Sequence, residues 1–333
     1  MGKHSVLMGD PFFISLIRKM SWPNQQDSWK KINRQRAIEQ WHRLAETLID
    51  CGIDVYVIPP QLENPDLVYS SNAGFLANVH QKAPLTEKIF YLSNLRSHRF
   101  WEKLYTKDIL EGIGIQTAQL TRSFEGEADL IPECSRYIFI HNNNKKYHYS
   151  FRPSIPPYQR LNRIHSDYQL LSELKQILGN KPIIPLTPSR HGFYHGENLI
   201  NTFGAYREHV LVYLEGFSRR SQGVCKKEFS HRAIQLSSED FKLFAANSFQ
   251  CTYQDDIFLF LPEGVSDYLI DQIKERGVYP VLINVSEFIS MGGGSVKRLI
   301  CDLGVFYDSQ ELLSENVKTY REKHRYENYY KKI

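Results

Sequence analysis

Five times along this chain, apolar residues at helical spacing run into a glycine or asparagine and then into a short β-rich stretch. That recurrence limits the fold more than any other feature. The first unit is Arg36–Cys51, with Ile38, Trp41, Leu44, Ala45 and Leu48 on helical spacing; it stops at Gly52 and is followed by Asp54–Ile58 and then Pro59-Pro60. The second runs from Arg99–Leu110 into Gly112–Ile115, and the third from Tyr168–Leu178 through Gly179-Asn180 into Ile183-Ile184. The fourth is read as Ser238–Ala246, then Asn247 and a strand ending Ile257–Phe260; the fifth is Val265–Arg276, Gly277 and Val281–Ile283. The first three recur at roughly 60 to 70 residues, too long for the short solenoid repeats and long enough for a helix plus several strands. A closed ring of αβ units is the expectation. The competing fold, a doubly wound parallel sheet, needs a glycine-rich phosphate loop directly after an early strand, and Pro59-Pro60 stands there instead.

A chain of 333 residues with 42% apolar content can bury a sizeable core. The net charge of +4 is small, and outside the C-terminal tail the basic residues are scattered, so no nucleic-acid footprint stands out. The apolar cluster Pro11–Ile17 is too short for a membrane span or a signal segment, and no other window is long enough to cross a bilayer. The five cysteines (Cys51, Cys134, Cys225, Cys251 and Cys301) are odd in number and contain no C-x-x-C pair. Free thiols in a reducing compartment are expected, with no metal site and no cofactor; a soluble cytoplasmic protein is the simplest reading. Residues 312–333 are dense in Lys, Arg, Glu and Tyr, which predicts a charged surface helix after a single domain of residues 1–311.

Four segments carry polar residues where a strand end or tight loop exposes them: Pro65–Phe75, Phe124–Asp129, Phe193–Asn198 and the glycine run Gly292–Gly294. The second puts three carboxylates beside a glycine. The third holds His195 and Glu197 two apart, on one face if the segment is a strand.

In this order, these blocks resemble the guanidino-group-modifying (pentein) superfamily of arginine deiminases, dimethylargininases and amidinotransferases. Met8-Gly9-Asp10-Pro11, Arg99–Glu102, Ala245-Ala246-Asn247 and Ser286-Glu287-Phe288 add to the likeness, which spans nearly the whole chain. The resemblance implies a five-bladed α/β propeller with pseudo-fivefold repeats, and a small guanidino or amino-acid-like ligand. A homo-oligomer is compatible with it. It further implies that Asp129 and Glu197 hold a guanidinium, a planar cation suited to paired carboxylates, and that His195 is the general acid and base. Asp66, Asn72, Arg99, Glu125, Gly293 and Gly294 match substrate-binding positions.

At one position the chain departs from this pattern. Aligned on the glycine run and Val296-Lys297, the place of the family's nucleophilic cysteine is taken by Arg298. A guanidinium is neither nucleophile nor base at working pH. The nearest thiol, Cys301, is three residues on, which in a strand means the opposite face. The His141–Arg152 stretch also lacks an evident segment for the substrate's amino-acid end. Three readings follow. One is a pseudoenzyme or ligand-binding protein in which Arg298 lies between Asp129 and Glu197 as an internal substrate mimic. Another is a working amidinotransferase or guanidino hydrolase with Cys301 as a displaced nucleophile or with a non-covalent mechanism. The last is an interaction module using its Tyr-rich tail.

Overall fold

The protein is seen in a computed structural model that describes residues 2–17, 32–79, 84, 87–95, 97–142, 148–152, 155–160, 166–189, 195–291, 294–307 and 313–331. Five three-stranded sheets share one plan: an antiparallel pair, then a third strand parallel to the second and reached through a helix. In chain order the first sheet holds β1 (Lys3–Gly9), α1 (Arg34–Asp50) and β2 (Asp54–Ile58). The second holds β3 (Gly74–Leu76), β4 (Ile89–Leu92), α2 (Glu102–Gly112) and β5 (Gln116–Gln119). The third has β6 (Leu130–Glu133), β7 (Arg136–Ile140), an inserted hairpin β8 (His148–Arg152) and β9 (Ile155–Arg160), α3 (Leu171–Ile177) and β10 (Ile183–Leu186). The fourth has β11 (Ile200–Phe203), β12 (His209–Val212), α4 (Arg219–Phe229) and β13 (Ala233–Gln235). After a short α5 (Ser238–Lys242), the fifth has β14 (Phe249–Tyr253), β15 (Asp256–Pro262), α6 (Asp267–Lys274) and β16 (Tyr279–Ile283). Then come α7 (Ser286–Ser290) and β17 (Cys301–Phe306), which returns to pair antiparallel with β1 and completes the first sheet.

Strand alternation explains why the sheets form a ring. Val6, Met8, Val55 and Val57 point into an apolar cluster shared with Phe249, Phe260 and Ile283 of the fifth sheet. Leu7, Tyr56 and Ile58, one residue out of phase, point into a cluster shared with Leu76, Phe90 and Leu92 of the second. The remaining clusters join sheets two and three, three and four, and four and five. Each blade is therefore buried on both faces by its neighbours, and the chain is a five-bladed α/β propeller closed by β17.

Four of the five helix-strand units expected from the sequence are blade helices; the fourth is not. Ser238–Ala246 contains the short α5 between blades, while the blade helix is α4, upstream. Its sequence RRSQGVCKKEF buries only Ser221, Cys225 and Phe229, too thin a stripe to show in an apolar periodicity. The segment around the glycine run also differs from an extended strand. Residues 286–290 are helical, Lys297–Leu299 is a 3-10 turn, and the strand begins at Cys301.

The C-terminal segment forms α8 (Glu315–His324) and α9 (Tyr326–Tyr330), and it is more than a solvated helix. Arg321 and His324 are buried, and an isolated bridge between Tyr56 and Arg325 covers the open edge of β2. Tyr330 donates to Asp10 at 2.6 Å and Arg321 to the Ile113 carbonyl at 2.8 Å. No described helix is long and apolar enough to cross a membrane.

Candidate functional site

Each blade's first strand is preceded at the same offset by a tight turn: Ser70–Asn72, Gly126–Ala128, Gly196–Asn198, the bend at Ala246-Asn247, and Lys297–Leu299. The fold brings these turns into a ring at the centre. Turn one touches turns two and five, and turn two touches turn three. Asn247 of turn four bonds to Asn198 of turn three and to Arg298 of turn five. Residues scattered over the sequence thus meet: Ser71 and Arg298 both bond to Glu197, and Glu127 pairs with Lys297.

Arg298 is 1% exposed, so a permanently charged group is fully buried. Its Nη1 donates to Oε1 of Glu197 at 2.9 Å and its Nη2 donates to Nε2 of His195 at 2.7 Å. Ser71 donates to the same Glu197 oxygen at 3.2 Å. The guanidinium carbon stands 5.3 Å from the ring centroid of Tyr69, within cation–π range. A guanidinium offers donors only, so Nε2 of His195 is a bare acceptor and the ring proton sits on Nδ1. His195 and Glu197 do not share a strand face, as the i, i+2 spacing suggested. The Gly196–Asn198 turn between them lets both side chains meet the same cation.

Asp129 lies elsewhere than expected. Its Oδ2 accepts from Ser166 at 2.6 Å and its Oδ1 from the Gly196 backbone N–H at 3.0 Å. It anchors the turn that carries Glu197, while the second partner of Arg298 is His195. Both oxygens of this buried carboxylate thus accept hydrogen bonds.

Asp66, Asn72, Arg99 and Glu125 come together in one adjoining network. Arg99 forms a two-pronged pair with Glu102, at 2.6 and 2.8 Å, and donates to Asn72 at 3.0 Å and to the Asp66 carbonyl at 3.3 Å. Asn72 in turn donates to the carbonyl and carboxylate of Glu125, at 2.9 and 3.2 Å. Burial alone would lower the Arg99 pKa, but the Glu102 charge and hydrogen bonds hold it above the usual range. Burial, then the Asp66 charge, raises the Tyr69 phenol, while Arg298 and Arg99 pull it the other way.

Gly294 has φ +136°, and a Cβ there would stand 3.0 Å from Arg298 Cβ and 3.2 Å from Asn198 Oδ1. Only glycine lets the chain pass behind Arg298 in this way. Gly293, with Gly292, Phe193 and Tyr194, lies outside the described residues. Beside the site, Lys297 pairs with Glu127 and donates to the Ile300 carbonyl at 3.1 Å. Burial pushes the Glu127 carboxyl up to about 7, with the Lys297 charge acting against it.

Cys301 is fully buried in the apolar cluster with Leu7, Tyr56 and Leu303. Burial first, then the Glu127 charge, holds its thiol well above the ordinary range. That is a small hydrophobe's environment, opposite to what a nucleophilic thiolate needs. Burial likewise raises Cys225 and Cys251, each to about 12, and raises Cys51 and Cys134. Among the described residues, no group of three or more His, Cys, Asp or Glu is placed to hold a metal ion.

Sequence reasoning gave no role to Ser71, Tyr69, Ser166, Lys297 or Glu127 and missed the structural weight of Asn247. Ser71, Tyr69 and Glu127 lie inside blocks singled out for other residues. Ser166, in an ordinary His-Ser-Asp string, carries no local signal.

Against this geometry the relatives can be set. The family profile described as N,N dimethylarginine dimethylhydrolase, eukaryotic, matches residues 19–305. The N(G),N(G)-dimethylarginine dimethylaminohydrolase of Mycobacterium tuberculosis is 26% identical over 269 residues, covering 80% of this chain and 75% of that protein. The bifunctional arginine dihydrolase/ornithine cyclodeaminase AgrE of Nostoc sp. is 25% identical over 281 residues, or 82% of this chain, which spans only 34% of AgrE. Among solved structures, the N-terminal domain of the cyanobacterial arginine dihydrolase ArgZ, a cysteine-to-serine variant bound to substrate, superposes with a TM-score of 0.69 at 22% identity, over 90% of this chain and 98% of that one. A dimethylarginine dimethylaminohydrolase adduct with S-methyl-L-thiocitrulline superposes at 0.65 and 13% identity, over 91% and 100%. At such identities the likeness in structure speaks for the fold alone. The profile match over most of the chain carries the rest: this chain belongs to the dimethylarginine dimethylaminohydrolase family, within the pentein-fold, guanidino-modifying superfamily.

Proposed function

We propose that this protein is a non-catalytic member of its family, in which Arg298 is a built-in occupant of the guanidinium subsite. One observation carries the reading: a buried guanidinium donates at once to Glu197 and His195. These are the carboxylate and the imidazole that the family resemblance assigns to the substrate cation and to proton transfer. With Nε2 occupied by Arg298, His195 has no basic lone pair left facing the centre for general acid–base work. A second guanidinium drawn from solution would have to sit beside the first at like-charge cost, or displace it. Burial raises the thiol pKa of every cysteine, and Cys301 faces the core, so none of the five thiols is an activated nucleophile for covalent turnover. Five free cysteines suit a reducing compartment such as the cytoplasm.

The test compares wild type with Arg298→Cys on arginine, mono- and dimethylarginine and agmatine, with glycine as amidino acceptor. Release of ammonia, methylamine or dimethylamine, or amidino transfer, is the readout. The wild type is expected to show none above the uncatalysed background. Turnover by the wild type would overturn the reading, and activity that appears only in Arg298→Cys would support it directly.

A further inference from the structure

We infer that Asn247 is the latch that keeps Arg298 in the guanidinium subsite and so keeps that subsite closed to guanidinium cations in solution. This rests on the reading of Arg298 as an internal occupant and adds what enforces the occupancy.

The ion pair cannot enforce it alone. Glu197 and His195 would meet a solution guanidinium through the same kinds of hydrogen bond that they make with Arg298. What favours the tethered cation is its effective concentration, and that depends on how firmly the backbone at 295–298 is held. Asn247 holds it at several points. Its Oδ1 accepts from the backbone N–H of both Ser295 and Arg298, each at 2.9 Å. Its carbonyl accepts from the Lys297 N–H at 3.1 Å and from the Ser295 hydroxyl at 2.8 Å. Its Nδ2 donates at 3.0 Å to Oδ1 of Asn198, the residue after Glu197. One side chain thus ties the turn bearing the cation to the turn bearing the carboxylate.

The base of the latch is firm. Asn247 is fully buried, its own N–H is bonded to the Phe244 carbonyl at 2.8 Å, and Ala245 and Ala246 before it sit in the cluster between blades four and five. Truncating the side chain leaves two buried N–H groups without their acceptor, which shifts the closed population of the turn by at least about tenfold. Asn247 is a positioning residue, so its loss should register as gained access to the subsite.

The experiment follows saturable binding of methylguanidinium chloride by thermal shift, with equimolar sodium chloride as the blank. Four proteins are compared: wild type, Arg298→Ala, Asn247→Ser and Asn247→Asp. Arg298→Ala is expected to bind and the wild type not to. Asn247→Ser is expected to bind saturably, with a Kd at least about tenfold below the lower limit that the wild type sets. Asn247→Asp keeps the acceptor for both N–H groups, and turning over the Asn198 amide brings its otherwise unbonded Nδ2 to the new carboxylate oxygen, so the tie between the turns is kept and the variant is expected to stay closed. Binding by Arg298→Ala with Asn247→Ser no different from wild type would overturn the latch and spare the reading of Arg298; so would an Asn247→Asp as open as Asn247→Ser. No binding by Arg298→Ala would overturn both. If Asn247→Ser does not fold, amide exchange in the wild type decides: the Ser295 and Arg298 N–H groups are expected to be protected as strongly as those of β17, and much faster exchange there refutes the latch.

Discussion

Nη2 of Arg298 lies 2.7 Å from Nε2 of His195, so one nitrogen of an otherwise versatile ring is fixed as an acceptor by a group that cannot give up its proton. The opposite end of the same guanidinium holds Glu197. Together the three residues form a buried unit, and their energetics can be tested apart from any activity.

Arg298→Ala leaves the Glu197 carboxylate buried without its cation, so it should destabilise the fold by roughly 3–5 kcal/mol. Urea unfolding of wild type and variant measures this. Arg298→Met combined with Glu197→Leu removes both charges and should cost much less than the single change. A single variant within about 1 kcal/mol of wild type would show that the pair is solvated, contrary to its burial.

Glu127 should impose a pH dependence of its own. Burial raises its carboxyl from 4.5 to about 7, against the pull of Lys297. Because the folded value exceeds the unfolded one, the native state holds the proton more tightly. This contribution to stability is full below the unfolded value and is lost as pH rises through the folded one. Glu127→Gln should flatten the slope of Tm against pH across that window. Calorimetry on both proteins over the same buffers checks it, and unchanged slopes would count against the assignment.

Thiol labelling under native conditions should sort the cysteines by burial. Cys134 is exposed and Cys51 half-buried, whereas Cys225, Cys251 and Cys301 are buried. Cys134 should react first, Cys51 slowly, and the other three only in denaturant. Mass mapping after timed alkylation reads this out. Rapid native labelling of Cys301 would revive it as a nucleophile.

The C-terminal helices should prove structural. Tyr330→Phe removes the hydrogen bond to Asp10 and should cost about 1–3 kcal/mol, as for bonds to charged groups. Equilibrium unfolding measures it, and a neutral result would return the segment to the status of a solvated tail.

Much of this was legible in the chain, for reasons that differ by residue. The ring could be anticipated because α1, α2, α3 and α6 each show apolar periodicity and a stop. The α4 helix could not, since its buried face is Ser221, Cys225 and Phe229 among charged neighbours. Arg298 stood out by its place after Val296-Lys297, but its partner His195 is 103 residues away, and only the fold shows that Asp129 is turned elsewhere. The contact of Ser166 with Asp129 spans 37 residues and leaves no trace in local pattern. Turn geometry was the weakest point. Residues 297–299 were expected in a strand because alternation over so few positions does not separate a 3-10 turn from an extended run.

The pairing of β17 with β1 also carries a consequence for how the protein is made. The first blade stays unfinished until β17 has been synthesised, long after β1 and after all four other blades. Arg298 lies just ahead of β17 in the chain. Until it arrives, Glu197 has no counterion, so a nascent chain cut short before residue 298 loses both the seam of the ring and the charge that makes its centre tolerable.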